Sequence, residues 1–220
     1  MPMDSRLIAF LLLLAVVLTG YLATLRRVKK VTAARDFAEE FLADLNTYGE
    51  SQGADEDIYV SLTRRSNKMQ NALGSQGILA QYRPPNANYM MSNVPVVVNF
   101  LPQLHQYFSD EWLRGRPIAY ETYSTIRDAI LRYIGTVEER LNVLYQEMRN
   151  PFSQLRIGIE ILVMAPLDLL SSFGILSASR NEKIHKSTWT RLFTGILSIV
   201  TLASSVVTIL VGWPTLIQMF

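Results

Sequence analysis

Histidine and cysteine, two frequent metal ligands, are scarce in this chain. It contains two histidines and no cysteine, which excludes disulfides, thiol nucleophiles and thiolate metal sites. His105 lies near Asp110 and Glu111, but a metal site would need a second imidazole, so a surface or capping histidine is the better interpretation. The sequence also lacks a phosphate-binding glycine loop, a nucleophile elbow and an HExxH motif. We therefore predict no metal, no cofactor and no enzymatic activity.

A polar cluster in the first half of the chain could bind a small molecule or an anion. Guanidinium groups bind anions through charge-assisted hydrogen bonds, and the glycines at 74 and 77 would let backbone amides approach the ligand. The alternative is ordinary solvated or lipid-facing charge. The residues of this predicted pocket are Arg64, Arg65, Asn67, Gln70, Asn71 and Arg83.

Small and hydroxylated residues recur near the carboxyl terminus at alternating spacings of four and three, which places them on one face of a helix. In lipid such faces mark close approach between helices. Three interpretations follow: packing against the first helix, self-association across subunits, or a hydroxyl-lined pore. The first helix has a shorter counterpart in Ala15, Thr19 and Ala23. The carboxyl-terminal stripe consists of Thr194, Ser198, Thr201, Ser205, Thr208 and Gly212.

The two stripes lie in two uncharged runs, residues 7–25 and 192–213, which we predict to be helices. At about 1.5 Å per residue, each is long enough to cross a hydrocarbon core of about 30 Å. A cleaved signal peptide is the alternative for the first run. The residues before a plausible cut, Tyr21 and Ala23, are not both small, and the basic flank that follows resists translocation, so we predict an uncleaved anchor.

Basic residues flank both runs on the side that faces the middle of the chain. Lys and Arg are enriched on cytoplasmic flanks, so both asymmetries predict a cytoplasmic middle, both termini outside, and a multi-pass protein of the plasma (inner) membrane. The net charge is only +2, which gives no reason to expect nucleic acid as a partner. The basic residues are Arg26, Arg27, Lys29, Lys30 and Arg35 after the first run, and Arg180, Lys183, Lys186 and Arg191 before the last.

Residues 156–179 are apolar enough to suggest a third span, but Glu160 and Asp168 argue against one. A charge near the bilayer centre costs about 2.5–3.5 kcal/mol. At helical spacing the charged residues share a narrow stripe, and the rest of the surface is apolar. This pattern favours an amphipathic helix in the interface, or a re-entrant segment, over a complete crossing.

The middle of the chain is predicted to contain four helices. The fourth has a heptad-like seam, for which a packed helical bundle is a simpler interpretation than a dimerising coiled coil. The segment from Arg83 to Asn99 reads as a long loop rich in Pro and Asn, and no alternating strand series is evident.

The first of these helices continues the first apolar run without a break, and the second has Asp55 or Asp57 as its amino-terminal cap and stops at Gly74. On the fourth, we expect Glu138 and Glu139 on the solvated side. The predicted helices cover residues 32–48, 55–73, 102–112 and 120–150; the seam is Ile130, Ile134, Val137, Leu141, Leu144 and Met148.

The predicted fold is therefore all-α, with two transmembrane helices flanking a helical cytoplasmic domain and an interfacial helix. Its segments are the anchor and basic flank (1–30), the helical domain (31–150), the amphipathic segment (151–180), and the basic loop with the last helix (181–220). We expect a non-enzymatic, membrane-anchored interaction or scaffold subunit that contacts the lipid bilayer and forms a homo-oligomer or joins a membrane complex. The alternative is an oligomeric effector or channel-like protein gated by its cytosolic domain. A lipid-active enzyme ranks third.

Overall fold

The computed structural model describes residues 5–84 and 88–172, and most of them are helical, as predicted. Within these ranges one helix, at the amino terminus, is long and apolar enough to cross a bilayer. The predicted second span, residues 192–213, and the whole 181–220 segment lie outside the described residues. The elements are α1 (Ser5–Glu50), α2 (Glu56–Leu73), a 3-10 turn (Gly74–Gly77), β1 (Ile78–Tyr82), β2 (Met91–Pro95), α3 (Val96–Ser109), α4 (Pro117–Arg149) and α5 (Pro151–Ser172).

Helix α1 confirms that the first apolar run continues without a break into the first helix of the middle region. Its amphipathic second half buries Phe41, Leu45 and Tyr48 completely. The helix ends at Glu50, where Gly53 adopts a positive φ of 79° that favours glycine. One helix therefore supplies both the apolar run and part of a packed core.

Helix α2 has the ends that its sequence predicts. The Asp55 side chain accepts a hydrogen bond of 3.1 Å from the backbone N–H of Ile58, which satisfies one free donor of the first turn. Gly74 follows the last residue with a φ of 53° and caps the carboxyl end. The apolar face of α2 buries Leu62, Met69 and Leu73, as expected from their spacing.

A two-stranded antiparallel hairpin corrects the prediction of a purely helical fold. Strands β1 and β2 lie where a long loop was expected, with Leu79 opposite Val94 and Tyr82 opposite Met91. Buried and exposed residues do not alternate strictly along the two strands. The sequence therefore lacks the alternation of apolar and polar residues by which a strand is usually recognised. The hairpin packs through the buried Val94 and the half-buried Leu79, and these tertiary contacts select the extended backbone.

Helix α3 begins six residues before the predicted start at Pro102, which lies inside it. The valines at its beginning favour strands by propensity, but Val96 and Val97 are almost completely buried in the core. The free N–H of Val97 donates to the Gln70 side chain at 2.8 Å, so α2 caps α3. Packing and this cap override the preference of the valines for a strand. Trp112, predicted on this helix, lies beyond its end and is 80% exposed.

The chain divides into two compact units. The central unit, Lys30–Asn142, contains the second half of α1, α2, the hairpin, α3 and most of α4. Its core joins side chains from every one of these elements. The terminal unit, Met1–Lys29 and Val143–Phe220, contains the first half of α1, the end of α4 and α5 among its described residues.

The seam of α4 faces inward as its spacing predicts. Ile130, Ile134, Val137, Leu141 and Leu144 are all buried, and Met148 is half-buried. Glu138 and Glu139, predicted on the solvated side, are exposed. The heptad-like pattern therefore identified the correct buried face.

Candidate membrane contact and ligand sites

The first half of α1 presents an exposed apolar surface. Only 17% of its most apolar window is buried, and Leu12, to take one example, is 63% exposed. A helix in the core of a water-soluble protein would bury most of these side chains, because exposed apolar area costs about 25 cal/mol per Å². The surface is long, contiguous and leucine-rich, which makes it suitable for contact with acyl chains. Its exposed members are Leu7, Phe10, Leu11, Leu12, Leu14, Leu18, Tyr21 and Leu22.

Glycines bring α5 into direct backbone contact with this half of α1. A Cβ atom at Gly20 would overlap the carbonyl of Gln154, and one at Gly158 would overlap the carbonyl of Val16. Neither helix could therefore carry a larger residue at these positions without moving apart. Such glycine-mediated approach is a common way for helices to pack in lipid, where no hydrophobic drive holds them together.

A buried polar contact fixes the register of the same two helices. The Thr24 hydroxyl lies 3.1 Å from Gln154 Oε1 and 3.0 Å from the Gly20 carbonyl. The Gln154 amide nitrogen donates to the Glu147 carbonyl at 2.6 Å, at the end of α4. Both the oxygen and the nitrogen of the Gln154 side-chain amide therefore have a hydrogen-bond partner, which a buried amide needs to avoid a large desolvation cost.

The contact line Val16, Gly20 and Thr24 was not the one identified from the sequence. The predicted stripe, Ala15 and its neighbours, lies one residue away on α1, and its predicted partner in the last helix falls outside the described residues. The signal that could have indicated the observed face was the pair of glycines, Gly20 and Gly158, one in each apolar segment.

An aromatic and polar cluster occupies the centre of the central unit. The Tyr48 hydroxyl lies 2.7 Å from His105 Nδ1, and the Tyr59 ring stacks on the imidazole with centroids 3.8 Å apart. Burial, with a smaller contribution from Tyr59, raises the pKa of Tyr48 above its usual value. Sequence reasoning placed His105 at the surface, whereas the structure makes it half-buried.

Arg65 of the predicted anion pocket is instead engaged with acidic side chains of α1. Its guanidinium pairs with Glu40 at 3.0 Å and with Asp44, and also donates to the Ser61 hydroxyl at 3.0 Å. The same group lies 5.7 Å from the centroid of the Phe41 ring. These contacts occupy most of its donors, so Arg65 joins α2 to α1 in the described fold.

Of the remaining residues of the predicted pocket, Gln70 makes contacts within the fold and the others lie at its surface. The Gln70 side chain accepts from Val97 N–H and donates to the Gly77 carbonyl at 2.9 Å, which ties α3 and the 3-10 turn to α2. The structure therefore turns Arg65 and Gln70 toward neighbouring elements and leaves the others exposed. The exposed members are Arg64, Asn67, Asn71 and Arg83.

Over residues 5–84 and 88–172, no three His, Cys, Asp or Glu side chains come together in a way that could hold a metal ion. An open concavity lined by residues 54–57 and Ser51 is acidic, but Asp55 is already used as the cap of α2.

Trp112 is an exposed aromatic side chain on a firmly held turn between α3 and α4. The backbone N–H of Trp112 donates to the Asp110 carboxylate at 2.9 Å, and the backbone carbonyl of Trp112 accepts from the Arg116 side chain at 3.0 Å. Arg114 donates to the Phe108 carbonyl at 2.8 Å and fixes the turn further. A fixed backbone that presents a free indole ring is suited to anchor a partner protein, because little conformational entropy is lost on binding.

The hydroxyl stripe of residues 194–212 lies outside the described residues. No protein-family model, curated protein or solved structure matches the chain.

Proposed function

We propose that this protein is a non-enzymatic, membrane-anchored interaction or scaffold subunit that presents its helical domain to a cytosolic partner. The observation that supports this most strongly is the contrast along α1. Its first half exposes a leucine surface, while its second half carries side chains that are fully buried in a packed core. Anchoring through the first half would hold the core of the second half at the membrane.

The same helix supports an uncleaved anchor over a signal peptide. A cut after the apolar run would fall close to Gly20 and Thr24, which pack against α5. Removal of that segment would expose the apolar and polar groups of α5 that it covers. We further propose that both termini lie outside and that the middle of the chain is cytoplasmic in the plasma (inner) membrane, because both basic flanks indicate this orientation.

The turn that carries Trp112 is the surface we propose for the partner. Exposed tryptophans on rigid backbone are frequent among the residues that dominate binding energy. Within the central unit Trp112 has the most exposed large apolar side chain of those described. A homo-oligomer or a membrane complex would supply the partner.

Photo-crosslinking of the full chain in its own cells tests the partner surface. A benzophenone amino acid at position 112 should give a discrete adduct, and the same group at the exposed Arg132 of α4 should not. The adduct should disappear when Asp110→Ala and Arg116→Ala release the turn. Equal crosslinking from both positions, or none from position 112, would contradict the proposed surface.

An oligomeric effector or channel-like protein remains the second proposal, supported by the hydroxyl stripe in the sequence. Electrical recording from planar bilayers separates the two. The scaffold proposal expects bilayers that stay electrically tight after reconstitution. Reproducible single-channel currents whose ion selectivity changes in Thr208→Lys, since a charge ring dominates conduction, would instead favour a pore.

A further inference from the structure

We propose that α5 enters the hydrocarbon core beside α1, so that its apolar side chains at 161–163, which are not buried in the protein, contact acyl chains instead of resting on the bilayer surface. The inference rests on the proposed anchoring by α1. It concerns the alternatives that the sequence left open for residues 151–180, and for the described part of α5 it argues against the interfacial one.

The contacts between α1 and α5 show that the two helices run antiparallel. Thr24 meets Gln154, Gly20 lies between Gln154 and Gly158, and Val16 meets Gly158. The backbone contact thus advances by one turn along each helix, from Gly20 and Gln154 to Val16 and Gly158, in opposite directions. A helix lying flat on the bilayer surface would not reach residues near the middle of a spanning helix, so the depth of this contact decides between the alternatives.

The depth of the contact follows from the rise of α1. Val16 lies about 14 Å along the axis from Leu25, the last residue of the uncharged run. This is near the middle of a hydrocarbon core of about 30 Å. Because Gly158 touches the backbone of Val16, it shares that depth. Helix α5 continues past this point to Ser172, which leaves ample length inside the bilayer.

Beyond Gly158, the described side chains of α5 that are not buried are apolar apart from Glu160. Leu162, one turn beyond Gly158, is 53% exposed, and Ile161 and Val163 beside it are half-buried. The exposed leucine surface of α1 belongs to the same compact unit. One occupant, the acyl chains of the bilayer, would cover both surfaces.

Glu160 is the exposed carboxylate that this arrangement carries into the membrane. Ionisable residues within spans are costly and usually mark a pairing or functional position. Arg156 lies one turn earlier, at the spacing where opposite charges on a helix attract, and it also lies 3.9 Å from Glu147. The snorkelling of Arg156 toward the surface would reduce the cost of inserting this helix.

Fluorescence quenching in lipid vesicles tests the proposal, since the chain has no cysteine of its own. The full chain carries a single cysteine labelled with the environment-sensitive dye NBD at Leu162, at Leu14 or at Trp112, three exposed positions. The vesicles contain phosphatidylcholine with a doxyl group deep in the acyl chain. We expect loss of emission from Leu162→Cys and Leu14→Cys, and none from Trp112→Cys. A second α5 variant, Ile161→Cys, covers the case in which Leu162→Cys does not fold.

The outcomes separate the failure of this inference from the failure of the anchor. If the Leu14 label is quenched and both α5 labels respond only to doxyl groups near the headgroup, α5 is interfacial and the inference is overturned. If no label is quenched, the proposed anchoring by α1 fails, and the inference fails with it. If the α5 labels are quenched and Gly158→Val abolishes this quenching, the contact with α1 is what holds α5 in the bilayer.

Discussion

At the scale of single residues, the cluster of Tyr48, Tyr59 and His105 concentrates polar chemistry in an otherwise apolar core. Tyr48 is fully buried, and its hydroxyl has one described hydrogen-bond partner, His105 Nδ1. The imidazole is half-buried and stacks on Tyr59. The hydrogen bond gives a buried phenol the partner it needs, which is a structural role that no substrate is needed to explain.

We expect Tyr48→Phe to destabilise the protein by about 1 kcal/mol, because the ring still packs but His105 Nδ1 loses its hydrogen-bond partner. Denaturant unfolding of the full chain in detergent measures the change. Tyr120→Phe, at an exposed ring that contacts Tyr123, is the matched control and should be neutral. Equal stability of the two variants would mean that the hydrogen bond contributes nothing.

The raised pKa of Tyr48 predicts sensitivity to alkali. A phenol whose folded pKa exceeds its unfolded value of about 10 holds its proton more tightly when folded, so its contribution is complete below that pH and is lost as the pH rises above it. Burial also raises the pKa of Tyr82 and Tyr123. Stability should therefore fall above about pH 10, and less steeply in Tyr48→Phe. An unchanged alkaline slope in that variant would show that Tyr48 does not contribute.

At the scale of elements, glycines decide whether α1 and α5 pack closely. Gly158→Ala places a methyl group against the Val16 carbonyl and should cost about 1–3 kcal/mol through overpacking. Gly135→Ala in α4 is the matched control, because nothing lies within 4 Å of its added Cβ. It should gain about 0.5–1 kcal/mol from helix propensity. Thermal unfolding in detergent compares the two; a gain in both would contradict the close approach.

The seam of α4 supplies a second test at this scale. Leu141→Asp puts a charge at a position that is 3% exposed, and should cost about 2–5 kcal/mol. Leu131→Asp makes the same change at an exposed position of the same helix and should have a small effect. Denaturant midpoints of the two variants provide the comparison. Similar losses would mean that burial along α4 is not what stabilises the helix.

At the scale of the whole molecule, the proposed orientation of the chain in the membrane can be read by chemical labelling. Ser75→Cys introduces a thiol at an exposed position of the 3-10 turn. In intact cells it should resist an impermeant maleimide and react with a permeant one, because the basic flanks place the middle of the chain inside. Labelling by the impermeant reagent in sealed cells would reverse the orientation.

The sequence by itself determined those features that depend on local pattern. The break-free α1, the Asp55 and Gly74 ends of α2 and the buried seam of α4 were all predicted, because periodicity and capping chemistry are encoded within a few neighbouring residues. The apolar surface at the start of α1 was equally clear, since length and composition alone indicate a helix that can cross a bilayer.

Only the tertiary structure decided the features that depend on distant partners. The early start of α3 requires a cap from Gln70, and the hairpin requires the core that covers Val94. Arg65 and Gln70 of the predicted pocket are engaged by residues far away in sequence. The contact of Gly20 with α5 joins segments more than a hundred residues apart. No local pattern records such pairings, because their free energy exists only once the elements have packed.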